Sequence, residues 1–133
     1  MELCNVSVIV PAGKYVIGDP CYAVPDRLWD ELLKSCDFFR TPIGQANGHK
    51  VLGFGTKWGD GCYRGTDGRE YPVDAGLIGL VPIELVEDPL QHSDFIVTFS
   101  KPTLCTDHDN GALQFGHIII DTDPADPEEE DDE

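Results

Sequence analysis

The chain predicts an α+β fold: a mainly antiparallel sheet of about seven strands, with one amphipathic helix packed on it. Three observations carry that expectation. Short β-branched stretches alternate in hydrophobicity, a single segment has sustained helical periodicity, and 14 Gly and 10 Pro mark frequent turns between them. At 133 residues the chain fits one domain. Its expected extent is residues 1–120, followed by an acidic tail over 121–133 that lacks apolar anchors and reads as disordered.

Residues 4–10 alternate, with Val6, Val8 and Val10 on one face, and read as a strand. Pro11-Ala12-Gly13 turns the chain into a second strand, Lys14 to Ile17, which predicts an N-terminal hairpin. Pro25 suits the first turn of a helix, where a missing N–H costs nothing. Leu28, Trp29, Leu32, Leu33 and Cys36 then form one apolar stripe, opposite Asp26, Arg27, Asp30, Glu31, Lys34 and Ser35. Core packing against the sheet is the expected use of that stripe.

Residues 41–48 read as a loop, and Lys50 to Lys57 as a strand. Thr66-Asp67-Gly68-Arg69 is a hairpin turn, flanked by Cys62-Tyr63 and Tyr71-Pro72-Val73, with Pro72 confining its strand to an edge. Leu77 to Val81 reads as a buried strand, and Pro82 opens a short helical turn through Val86. Strands over 93–100 and 112–120 complete the series.

The strongest global signal is charge. Twenty-five acidic residues against 9 basic ones give −16, and nine of the acids lie in 121–133, so the body carries −7. A field of that sign repels phosphate backbones and favours a basic protein surface as partner, so direct nucleic-acid binding is not expected. The N-terminus has Glu2 where a secretory signal would carry a basic residue, and the run Val6 to Val10 stops at Pro11. Nothing approaches a bilayer-spanning stretch, so a soluble intracellular protein is expected and no membrane partner. Five cysteines without a C-x-x-C pair fit a reducing compartment.

The most conspicuous motif is Gly18-Asp19-Pro20-Cys21-Tyr22, which returns as Gly59-Asp60-Gly61-Cys62-Tyr63. Gly permits positive φ and Asp can accept backbone amides just beyond it, so both copies predict tight, pre-formed loops. Cys21 and Cys62 each lie two residues from an Asp, which disfavours the thiolate. They read as small core residues, and no catalytic residue is assigned. The histidines and cysteines lack zinc-ligand spacing, and Asp107-His108-Asp109-Asn110-Gly111 has Gly where a calcium loop needs an oxygen ligand. No phosphate-cradling or nucleophile-elbow motif occurs, so neither metal nor cofactor is expected.

Residues 11–22, the Trp29 helix, the second motif and Tyr71-Pro72-Val73-Asp74-Ala75-Gly76-Leu77 together resemble a family of small bacteriophage and prophage proteins. That family opens with G-x-Y-x-[IL]-G-D-P-C-Y and continues with G-D-G-x-Y and V-D-x-G. The resemblance spans roughly residues 11–85 and implies a mobile-element origin and the host cytoplasm, but brings no catalytic residues with it. By analogy with small acidic phage proteins, anti-CRISPR proteins among them, it implies a non-enzymatic inhibitor of a host macromolecule such as a nucleic-acid-handling or defence complex. Tyr22, Trp58 and Tyr63 are the expected anchors, with Asp19, Asp60 and Asp74 as the carboxylates beside them. The alternative is a small-ligand binder or enzyme at the paired loops, using Asp19 and Asp60 as acid/base groups or cation ligands.

Overall fold

The computed structural model describes residues 6–37, 39–56, 61–74, 76–108 and 111–122. Within them the α+β reading holds, with sheet dominant, but the strands number eleven in three antiparallel sheets. In chain order they are β1 (Val6–Val10), β2 (Gly13–Gly18), β3 (Ile43–Ala46), β4 (His49–Gly55), β5 (Gly61–Arg64), β6 (Glu70–Val73), β7 (Leu77–Pro82), β8 (Ile96–Phe99), β9 (Thr103–Asp107), β10 (Ala112–Phe115) and β11 (Ile118–Asp121). Helix α1 (Pro20–Ala23) is a single turn, and α2 (Asp26–Ser35) is the amphipathic helix. Two 3-10 segments, Ile83–Leu85 and Pro89–Phe95, lie between β7 and β8.

A five-stranded sheet, β3-β4-β7-β2-β8, forms the middle layer, and strand alternation decides which core each residue enters. Tyr15, Ile17, Leu52, Phe54, Ile78 and Leu80 face one core, where they meet Cys105, Leu113, Phe115 and Ile118 of the second sheet, β1-β9-β10-β11. The β5–β6 hairpin adds Tyr63, Tyr71 and Val73 to the same core. Val16, Val51 and Val81, one residue out of phase, face the other core with Leu32 of α2.

Helix α2 lies over β3 because Gly44 has no side chain. A Cβ there would come within 2.6 Å of Leu32 Cδ1. Ser35 Oγ and Glu31 Oε2 accept the Gln45 and Asn47 amides at 2.7 and 3.0 Å, fixing the helix to the strand and its turn. The expected Asp30–Lys34 pair forms at 3.0 Å on the solvent face. Gly79 sits where β7 meets β4 closely, and a Cβ there would lie 1.7 Å from the Leu52 carbonyl oxygen.

Several expectations are corrected. No N-terminal hairpin forms: β1 pairs with β9 in one sheet, while β2 pairs with β7 and β8 in another. Residues 41–48 are not all loop, because Asn47 and Gly48, at φ 50° and 80°, make a two-residue turn joining β3 to β4. Residues 93–100 divide into the end of a 3-10 segment and β8, with Pro89 as its helical start. Residues 112–120 are two strands, folded back at Gly116 with φ 64°. Residues 103–107, given no element from sequence, are β9.

The last strand also passes residue 120. Asp121 belongs to β11, and Thr122 is fully buried, its N–H and hydroxyl both donating to the Gly111 carbonyl at 2.7 and 2.6 Å. The tail from 123 onward, like Cys4, lies outside the described residues.

Candidate functional site

The first Gly-Asp-Pro-Cys-Tyr stretch, expected as a tight loop, caps and enters a helical turn. Gly18, at φ 142°, ends β2 in a conformation that suits glycine. Asp19 is the N-cap of α1, its Oδ1 accepting the Cys21 amide at 3.0 Å, and Pro20 occupies the first turn. Asp19 is only 3% exposed, and its Oδ2 accepts the Asp74 amide at 2.8 Å, from 55 residues away. One carboxylate thus holds α1 and joins it to the segment following β6.

That segment also bridges the two motif copies. Val73, which precedes Asp74, is the register partner of Gly61 at the start of β5. The copies are neighbours through β6, but they are not alike. Tyr22 projects from α1 and is 49% exposed, whereas Tyr63 sits within β5 at 8% exposure, opposite Tyr71. Tyr63 is therefore a core residue and not a surface anchor. Cys62, read as a core residue, is exposed, and Cys21 is half-buried. The reason is local: Gly61-Cys62-Tyr63 enters a strand, in which alternate side chains point outward, while Pro20-Cys21-Tyr22 enters a helical turn. Trp58 and Asp60 lie outside the described residues.

Asp19, Tyr22 and exposed Asp74 therefore come together, with Cys21 beside them. Burial, then the charges of Asp74, Cys21 and Asp19, push the Tyr22 phenol above its usual value. It stays a neutral O–H, able to donate to a partner. The buried thiols are others, Cys36 and Cys105, and burial pushes Cys105 up to about 12, against an opposing hydrogen bond from the Gly116 amide.

A cleft of about 240 Å³ opens beside Tyr22, walled by Ile17, Gly18, Tyr71, Pro72 and Phe95. Sequence reasoning did not find this wall. It is assembled by the hairpin turn, where the Tyr71 hydroxyl donates to Asp67 Oδ2 at 2.5 Å and the Arg69 guanidinium pairs with the same carboxylate. Arg69 Nε also donates to the Asp94 carbonyl at 2.6 Å, stapling the hairpin to the 3-10 segment. Tyr71 and Phe95 consequently pack with ring centroids 5.6 Å apart. Burial raises the Tyr71 phenol strongly, and its bond to Asp67 adds to the rise. For Asp67 burial is the largest influence and acts upward, yet the bonds from Tyr71 and Arg69 together hold the carboxyl below its usual range. The Asp-Gly pair signalled the turn; nothing in it signalled where Arg69 would reach.

Larger clefts open between β1 and the central sheet, at about 390 Å³, and along the β8–β9 and β10–β11 turns, at about 590 Å³. Neither contains a residue that the sequence singled out for the site. Among the described residues no three His, Cys, Asp or Glu side chains converge to hold a metal, and no helix is long and apolar enough to cross a membrane. No protein-family model matches the chain, and no curated protein or solved structure matches it either. The likeness to bacteriophage proteins therefore rests on the motifs themselves.

Proposed function

We propose that this chain is a non-enzymatic, acidic accessory protein of bacteriophage type. It binds a basic surface on a host macromolecule in the host cytoplasm and inhibits it, a nucleic-acid-handling or defence complex being the class that fits. The observation that carries this reading is Tyr22: a half-exposed aromatic on a helical turn that Asp19 fixes, with the Asp74 carboxylate beside it. An aromatic held rigidly among carboxylates suits a partner presenting apolar and basic groups, since buried aromatic anchors dominate interface energetics. The net charge of −16 would accelerate such an encounter and compete with phosphates for the same basic groove.

The ligand-binding or enzymatic alternative draws less support. It needs Asp19 as an acid/base group or cation ligand, yet both Asp19 oxygens already accept backbone amides and the residue is buried.

The test is capture from fresh bacterial host lysate on immobilised full-length protein, washed at low and high salt, with Tyr22→Ala alongside. A stoichiometric complex held at low salt, released at high salt and lost with Tyr22→Ala is the expected result. Recovery of nothing at low salt would remove the basis for this reading.

A further inference from the structure

The cleft walled by Tyr71 and Phe95 adjoins a second one. It measures about 420 Å³ and is lined by Cys21, Asp26, Glu87 and Asp88. Tyr22, Gln91 and His92 line both, so these three side chains are the shared wall between two chemically opposite spaces. We propose that the pair holds one extended segment of a partner polypeptide, with an apolar side chain in the first cleft and a Lys or Arg within two residues of it in the second. This deepens the binding reading above and rests on it.

The apolar space is built from Val16, Ile17, Tyr71, Pro72 and Phe95. Asp19 also borders it, but its carboxylate oxygens are turned to the Cys21 and Asp74 amides, so its charge is already met by hydrogen bonds. An uncharged, apolar occupant fits that wall. Strand β2 runs two residues, Ile17 and Gly18, past Val16, its last residue paired with β8 (at Ile96), and both border this cleft. An extended chain can lie along such a margin.

The second space has the opposite character. Asp26, Glu87 and Asp88 are all exposed there. Arg27 reaches Glu87 at 4.0 Å, with both side chains more than 60% exposed, and so thin a surface pair is readily exchanged for a partner's cation. Three carboxylates against that one arginine favour Lys or Arg over any anion. The shared wall suits a peptide between them: the Gln91 amide can both donate to and accept from a backbone, and Tyr22 offers an aromatic face to a cation.

The test uses fluorescence anisotropy on full-length protein with a nine-residue probe, Leu-Lys-Lys flanked by Gly and Ser. Control probes replace Leu by Ser, or both Lys by Glu. Binding at least tenfold weaker for each control is expected. The double variant Glu87→Lys with Asp88→Lys should lose the preference for lysine while keeping that for leucine, and Gln91→Trp should weaken the Leu-Lys-Lys probe at least tenfold. All three substitutions are at exposed positions. Equal affinity for the Leu and Ser probes, indifference to the charge reversals, or no measurable binding overturns the proposal. The lysate capture then separates the two ideas: a salt-released complex that depends on Tyr22 but ignores Gln91→Trp leaves the binding reading standing and removes the paired-cleft one.

Discussion

Asp19 and Asp74 stand 55 residues apart in the chain, and the side chain of the first accepts the backbone amide of the second at 2.8 Å. The same carboxylate caps α1. Asp19→Ala therefore removes an N-cap and strands a second amide, and should destabilise the protein by about 2–4 kcal/mol. Asp19→Asn keeps one acceptor oxygen and should cost less than Asp19→Ala. Urea denaturation of the two variants measures both; equal losses, or a loss under about 0.5 kcal/mol for Asp19→Ala, would show that the carboxylate is not a structural tie.

Tyr22 makes the converse case. Its ring is half-exposed, so Tyr22→Ala should change stability by no more than about 0.5 kcal/mol. Its effect should fall on partner affinity, by about 2 kcal/mol or more, if it anchors the interface. Tyr63→Ala should reverse the pattern, emptying a buried site on the core-facing side of the hairpin at a cost of about 3 kcal/mol or more. Thermal melts with affinities for the captured complex distinguish the two tyrosines.

Two glycines one strand apart give a control pair. A Cβ on Gly79 would meet the Leu52 carbonyl oxygen at 1.7 Å, whereas among the described residues nothing lies within 4 Å of one on Gly55. Gly79→Ala should cost about 3 kcal/mol, the upper end for overpacking, or prevent folding. Gly55→Ala should be close to neutral. Comparable stability of the two variants, measured by denaturant midpoint, would mean that β4 and β7 separate easily here.

Asp67 and Tyr71 predict how stability follows pH. The folded Asp67 carboxyl lies below its usual range, so its stabilisation is complete above about pH 4 and is lost as pH falls through the folded value. The folded Tyr71 phenol lies above its usual value, so its stabilisation is complete below about pH 10 and is lost as pH rises further. Asp67→Asn should flatten the acid limb of the stability profile, and Tyr71→Phe the alkaline limb. Chemical denaturation from pH 2 to 11 tests this, and unchanged slopes in both variants would show that the pair is not coupled to folding.

What the sequence disclosed was what is local. The α2 stripe that buries Leu32 and Cys36, the Asp-Gly turn at 67–68 and the Asp19 carboxylate accepting an amide just beyond it each depend on a few adjacent residues. Strand partners do not: alternation in Val6–Val10 announces a strand but not that Ser7 will bond Thr106 across 99 residues. The same limit explains the site. Asp19, Tyr22 and Asp74 were legible as candidates, but the duplicate motif misled at Tyr63, because a matching pentapeptide enters a strand instead of a helical turn. Tyr71 and Phe95 form a cleft wall only through the reach of Arg69 to Asp94, which no local pattern encodes.

The boundary at Thr122 makes the role of the acidic tail measurable. Ending the chain at Ile120 would delete a buried residue that donates twice to the Gly111 carbonyl, so loss of function there would report damage to the β10–β11 end of the sheet. Ending it at Thr122 removes eight acids and no base, taking the net charge from −16 to −8 with every described contact kept. If the tail steers the partner, the chain ending at Thr122 should associate more slowly at low salt. The two association rates should converge near 1 M salt, where the screening length falls to about 3 Å. A deficit that persists at 1 M salt would mean that the tail makes direct contacts, and equal rates at low salt would confine the binding charge to the body, where Asp74, Glu87 and Asp88 surround Tyr22.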